Sequence, residues 1–254
     1  MEILARDKGA MKEVVECIQS DPIFAAEILR VANSALYGAS DPIESLQRAT
    51  FTLGLDFIKA LAVTVGMRAH VKSGMKIPVL RRCWRHCMAS AVLAQEVGAA
   101  CGMKEDEAYT AALLHDIGRM GLMAAYPIEY ANVLEFSSAE SFNLLDCERE
   151  LFDVDHCQAG AWLAEAWKLP PQIRHIAEHH HDEVPAGASD LLAVVTLGCQ
   201  LATALDFGVM AGRASPTFDE IRARLPKTAQ GRFRLGPGML KKKVQARLKA
   251  LKLR

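Results

Sequence analysis

The sequence predicts an all-α fold, and three observations carry that expectation. Apolar residues recur at three- and four-residue intervals along nearly all of the 254 residues, the period of a helix burying one stripe. Convincing period-two alternation, the mark of a half-buried strand, does not appear. Several helix starts are also marked chemically by a capping side chain or a leading proline.

Taken in order, Asp21-Pro22 and Asp41-Pro42 each set a capping carboxylate before a proline at the first helical position. They predict helices beginning at residues 22 and 42. Ser137 followed by Glu140 has capping-box spacing. Pro170-Pro171 opens a stretch from Gln172 to His181, and a last amphipathic helix is expected from about Met239 to Leu251. Turn signals at Tyr37-Gly38, Ser73-Gly74, Cys101-Gly102 and Pro185-Ala186-Gly187 separate these runs. The expected core includes Leu29, Leu36, Leu53, Leu61, Leu93, Leu113, Leu114, Leu163, Leu192 and Val195.

With 51% hydrophobic and 24% charged residues, the chain has ample material for a core. That excludes a disordered chain, a collagen-like fibre and a disulfide miniprotein. The zero net charge hides an asymmetry: from Arg222 to Arg254 there are twelve Lys/Arg and no Asp/Glu, leaving an acidic body at −12. A basic tail of this kind is a candidate site for nucleic acid or another anionic partner, or it docks on the acidic body. The seven cysteines (Cys17, Cys83, Cys87, Cys101, Cys147, Cys157 and Cys199) lack framework spacing, which predicts free thiols in a reducing compartment. The longest uncharged run, Leu191 to Leu205, contains Thr196, Gln200 and Thr203. It is shorter than the roughly 20 apolar residues a bilayer span needs. A cytoplasmic protein without a membrane segment is expected.

Histidine is the chemical signal, with seven of the eight imidazoles between positions 86 and 181. Consecutive helical residues lie about 100° apart around the axis, so His115 and Asp116 can converge on one cation. An imidazole nitrogen with a carboxylate oxygen suits Zn, Fe, Mn or Ni. The plain alternative is a capping Asp beside a packed His. His86, His156 and the run His179-His180-His181 also sit beside apolar helical stretches. A shared metal would satisfy their nitrogens, whereas a solvated helix C-terminus would equally accommodate the run. Cys83, His86 and Cys87 share a helix face, but no second Cys/His pair with finger spacing follows, and packing is the expected role.

The order of these residues resembles a known family. Trp84-Arg85-His86, Leu113-Leu114-His115-Asp116-Ile117-Gly118-Arg119, Glu148-Arg149-Glu150, Asp155-His156 with Gly160, Trp167-Lys168-Leu169-Pro170 and Ile176 with His179-His180 follow an HDOD domain. This is the signalling-output branch of the HD metal-dependent phosphohydrolase superfamily. Asn33-Ser34-Ala35-Leu36-Tyr37-Gly38 and Leu53-Gly54 resemble the helical segment specific to that branch.

The resemblance implies an HD-domain-like helical bundle over residues 1–212, with an N-terminal helical lobe over about 1–67 and an HD-like lobe over about 68–212. A basic C-terminal extension over 213–254 would carry the terminal helix. Carried over residue by residue, the metal set is His86, His115, Asp116, His156, His179 and His180, with His181 as a substitute should the register slip. The cofactor implied is a divalent metal (Fe, Mn, Ni or Zn). Two departures matter. Related phosphohydrolases place a ligating Asp in a late apolar helix, where this chain has Thr196, and the phosphodiesterase branch's Gly-Tyr-Pro element is replaced by His181-Asp182-Glu183-Val184-Pro185. The expectation is therefore a regulatory module acting on a partner protein without catalytic turnover. The alternatives are a metal-dependent phosphohydrolase or phosphodiesterase, with Arg119 and Lys168 as phosphate partners, and nucleic-acid binding through the 222–254 tail.

Overall fold

The structure is a computed structural model and describes residues 21–34, 41–54, 77–140, 142–210 and 215–250. Leu36, Leu61 and the lobe boundaries expected near residues 67 and 212 lie outside them. In chain order the helices are α1 (Pro22–Ala32), α2 (Leu46–Leu53), α3 (Pro78–Cys101), α4 (Glu105–Leu114), α5 (Ile117–Ala125), α6 (Pro127–Glu140) and α7 (Leu144–Phe152). They continue as α8 (His156–Ala166), α9 (Pro171–His179), α10 (Leu191–Ala202), a π-helical turn (Thr203–Phe207), α11 (Phe218–Arg224), α12 (Lys227–Arg232) and α13 (Pro237–Ala250). No strand occurs among the described residues, so the fold is all-α. No described helix is long and apolar enough to cross a membrane.

Local chemistry sets most helix starts. Asp21 Oδ1 accepts from the Phe24 N–H at 3.0 Å, with Pro22 at the first helical position. Two expected starts move. No helix begins at Pro42; residues 42–45 are non-helical, and Ser45 caps α2 instead, accepting from Arg48 N. The reason is tertiary. The Asn33 side chain accepts from Ile43 N at 2.7 Å and donates to Ile43 O and Leu29 O, each at 2.9 Å, clamping this segment to the end of α1. Ser137 starts no helix either: it lies buried within α6 and donates to Phe142 O at 3.0 Å. The capping box that does form pairs Thr217 with Glu220 at the start of α11.

The core gathers around α3, whose Leu80, Cys83, Cys87, Leu93 and Val97 are fully enclosed. α4 and α10 flank it, and α13 and α12 cover another part of it. Leu29, Leu53, Leu93, Leu113, Leu114 and Val195 are buried, whereas Leu163 and Leu192 are only partly so. Leu192 stands in the first turn of α10, at the rim of the core. α10 approaches α3 so closely that a Cβ on Gly198 would lie 2.8 Å from the Ala94 backbone nitrogen. The following residue, Cys199, meets His86 of α3. The terminal helix α13 buries Leu240, Val244 and Leu248. Its Lys241 reaches Asp206 at 2.6 Å, Lys243 pairs with Glu96, and Arg247 bonds Tyr109.

Candidate metal centre

Helix ends deliver most of the polar groups of the pocket, and the interiors of α3 and α10 deliver the rest. His86 comes from α3, His115 and Asp116 from the α4–α5 junction, and His156 is the first residue of α8. His180 and His181 follow α9, and Cys199 comes from α10. A junction suits this task because its residues leave the helical repeat, so neighbouring side chains turn inward together.

Arg119, in the first turn of α5 and 3% exposed, organises the centre. Its Nε donates to Asp116 Oδ2 at 2.9 Å, Nη2 to His156 Nε2 at 2.9 Å and Nη1 to the Tyr130 hydroxyl at 3.3 Å. The Tyr130 hydroxyl donates to Glu148 Oε1 at 2.6 Å. Glu148 Oε2 accepts from His156 Nδ1 at 2.6 Å and from the His156 backbone N–H at 2.8 Å. This fixes the His156 tautomer: Nδ1 carries the hydrogen and Nε2 presents its lone pair to the guanidinium. Burial alone would raise the Asp116 carboxyl, yet Arg119 and the surrounding histidines hold it well below the usual carboxylate range. Glu148, pushed up by burial, is likewise brought below its ordinary value by His156 and Arg119. Two carboxylates thus share the field of one guanidinium.

Three polar atoms in this pocket are buried without a hydrogen-bond partner: His115 Nε2, Asp116 Oδ1 and His180 Nε2. His115 Nδ1 donates to Ala112 O at 2.7 Å, which leaves the lone pair on its Nε2, and His180 Nδ1 donates to Ala177 O at 3.0 Å. His180 Nε2 lies 3.3 Å and His115 Nε2 3.5 Å from the Asp116 carboxylate. Unsatisfied buried groups cost about 1–3 kcal/mol each, and a cation seated among lone pairs would offset that cost. Three overlapping groups have ligand atoms close enough to hold an ion: His115/Asp116/His180, His86/His115/Cys199 and His156/Cys157/His180/His181. Burial holds His115 down at about 3, ready to coordinate as neutral imidazole.

The expected set therefore assembles in part. His86, His115, Asp116, His156 and His180 converge. His179 stands apart on the surface, its Nδ1 2.9 Å from Asp182 and its ring against His175. His181, though exposed, turns its ring to the pocket, with Nε2 3.0 Å from His156 Nε2. Arg119 is engaged internally, and Lys168 is exposed in the turn between α8 and α9. Thr196 is buried with its hydroxyl unpartnered. Sequence reasoning gave Tyr130 and Cys199 no role. Neither differs in pattern from an ordinary buried helical residue.

These features define an HD-like helical domain with a histidine-rich pocket, and the comparisons agree. The model of the HDOD domain matches residues 1–183. The chain belongs to the HDOD family. It is similar to the crystal structure of the MmoQ response regulator from Methylococcus capsulatus, with 25% identity, a TM-score of 0.66 and coverage of 92% of this chain and 89% of that one. An HDOD domain protein of unknown function from Geobacter sulfurreducens shares its fold, at 24% identity and a TM-score of 0.53, over all of this chain and 89% of that one. An uncharacterised protein of Treponema pallidum is 23% identical over 174 residues, which is 68% of this chain. The chain spans 34% of that relative's length.

Proposed function

We propose that this chain is a signal-transduction module whose output is a contact with a regulatory partner protein, without bond cleavage. The observation that carries the reading is Arg119. A two-metal hydrolase stabilises its reaction with ions about 3.5–4 Å apart. Here a fixed guanidinium takes Asp116 Oδ2 and His156 Nε2, two groups that a second ion would need. Positive charge is built into the chain at that place and needs no metal. Thr196, where related hydrolases have a carboxylate, adds to this: a neutral hydroxyl neutralises no cation. The enclosure of His115, Asp116 and Arg119, each at most 3% exposed, leaves little room for a phosphate ester. Likeness to a response regulator over most of the chain supports a signalling role. Exposed apolar side chains at Tyr126, Ile128 and Leu151 offer contact area for a partner.

Should an ion be seated, either His115 with Asp116 and His180, or the group on the His86 side of His115, would hold it, and it would supply positive charge to an anionic ligand. The orphaned nitrogens favour that much of the hydrolase alternative. The tail gives less support to nucleic-acid binding, because α13 turns its apolar stripe and Lys241, Lys243 and Arg247 onto the protein itself.

The test is incubation of purified protein with Mn, Fe, Ni or Zn and with nucleotides, cyclic dinucleotides and a generic phosphodiester. Turnover no greater than that of a His115→Ala/Asp116→Ala variant is expected. Turnover well above that control overturns the reading.

A further inference from the structure

One turn beyond Thr196 on α10 stands the Cys199 thiol, which burial pushes up to about 12 and so keeps protonated in the metal-free protein. Residues three apart share a helix face, and on that face Cys199 Sγ lies 3.2 Å from His86 Nε2. His86 is held by Nδ1–H donation to Phe207 O at 3.0 Å, which leaves the lone pair on Nε2. Across from it stands the buried, unpartnered His115 Nε2. The ligand atoms of His86, His115 and Cys199 all lie within 4.8 Å of one another.

We propose that Cys199 supplies the missing anionic ligand as a thiolate, so that His86, His115 and Cys199 form a seat for a thiophilic divalent cation, zinc foremost. Thiolate and imidazole donors select zinc over the hard ions that carboxylate and water sites favour. Zinc takes sulfur at about 2.3 Å and imidazole nitrogen at about 2.0–2.1 Å. On binding, the Cys199 S–H bond breaks, an S–metal bond forms and the proton leaves to solvent, with no change of oxidation state. Charge also favours this side of the pocket. Asp116 is already neutralised by Arg119 at 2.9 Å, and a divalent ion on that carboxylate would sit beside a guanidinium. Cys199 gains its negative charge only as the metal displaces the thiol proton, so that charge is offered to the ion alone. Buried Cys83 and Cys87, in contrast, join no such group among the described residues.

The proposal rests on the pocket accepting a cation, but not on the absence of turnover, so the two fail separately. Turnover by a thiolate-bound metalloprotein would sink the regulatory reading and leave this one standing. The experiment titrates the full chain anaerobically with Co(II), then with zinc. The expected result is a near-ultraviolet thiolate-to-cobalt charge-transfer band at one equivalent, bleached by zinc. Cys199→Ser should lose the band and weaken zinc binding by more than about tenfold, whereas Cys157→Ser should keep both. X-ray absorption on the zinc-loaded wild type needs no variant and should show one sulfur at about 2.3 Å. Cobalt bound without the band, a zinc shell of nitrogen and oxygen alone, a band that depends on Cys157 instead, or no metal bound would each overturn the proposal.

Discussion

Gly118→Ala is the substitution whose cost the structure sets most directly. A Cβ at Gly118 would stand 2.0 Å from the His156 carbonyl oxygen, 2.3 Å from Gly160 N and 2.8 Å from Gly160 Cα. All three are backbone atoms, so no rotamer change relieves them. Carbon contacts settle near about 3.5–4.0 Å, which requires α5 and α8 to part by more than about 1 Å. The same movement stretches the 2.9 Å bond from Arg119 to His156, because those residues ride on the two helices. Overpacking typically costs about 1–3 kcal/mol, and a backbone clash with a broken polar link belongs at or above the upper end. At about 2–4 °C per kcal/mol for a chain of this size, Gly118→Ala should melt about 6–12 °C lower. Gly121→Ala in the same helix is the control: its added Cβ meets only the Leu163 side chain, with Cδ1 at 2.7 Å. That side chain swings aside, and alanine is the better helix former by about 1 kcal/mol, so stability should stay within about 1 kcal/mol. Thermal melts followed by circular dichroism read both. Equal melting of Gly118→Ala and wild type would refute the close approach of α5 and α8.

Other consequences are open to the same assay. Arg119→Met strips the partner from buried Asp116 and should cost about 3–5 kcal/mol, with Asp116→Asn/Arg119→Met costing less than the sum of the two single changes. In metal-free protein, burial depresses His115 to about 3, against about 6.5 unfolded. Its stabilisation is therefore full above about pH 6.5 and lost as pH falls toward 3, at about 1.4 kcal/mol per pH unit; a flat stability profile over that range would contradict this. Leu114→Ala, at a fully enclosed position, should cost about 2–5 kcal/mol. Leu240→Ala, at a fully enclosed position of α13, should cost about 2–5 kcal/mol if that helix is an internal brace. Lys243→Ala, a surface pair with Glu96, should stay within about 1 kcal/mol.

Helical periodicity made the all-α class and most helices legible, and the His-Asp pair made the pocket legible. Local signals mislead where a distant contact competes with them. Asp41-Pro42 is a sound start signal, but Asn33 binds Ile43 from ten residues away and keeps the segment non-helical. Ser137 and Glu140 have the right spacing for a cap, yet the helix had already begun at Pro127. Among His179, His180 and His181, successive residues at a helix end point in different directions, and no local pattern says which one faces outward. Cys199 resembles every other apolar position of its helix; only its three-residue offset from Thr196 marks it. The Tyr130–Glu148 bond joins residues 18 apart in sequence, and neither position signals the other.

The most direct measurement is a crystal structure of the full chain grown with excess Mn or Zn, with ions located by anomalous scattering. Arg119 should remain bonded to Asp116 and His156, with at most one ion in the pocket, on the His115 side. Two ions about 3.5–4 Å apart, bridged by Asp116 with the Arg119 side chain displaced, would contradict the claim that this chain carries its own cation in place of a catalytic pair.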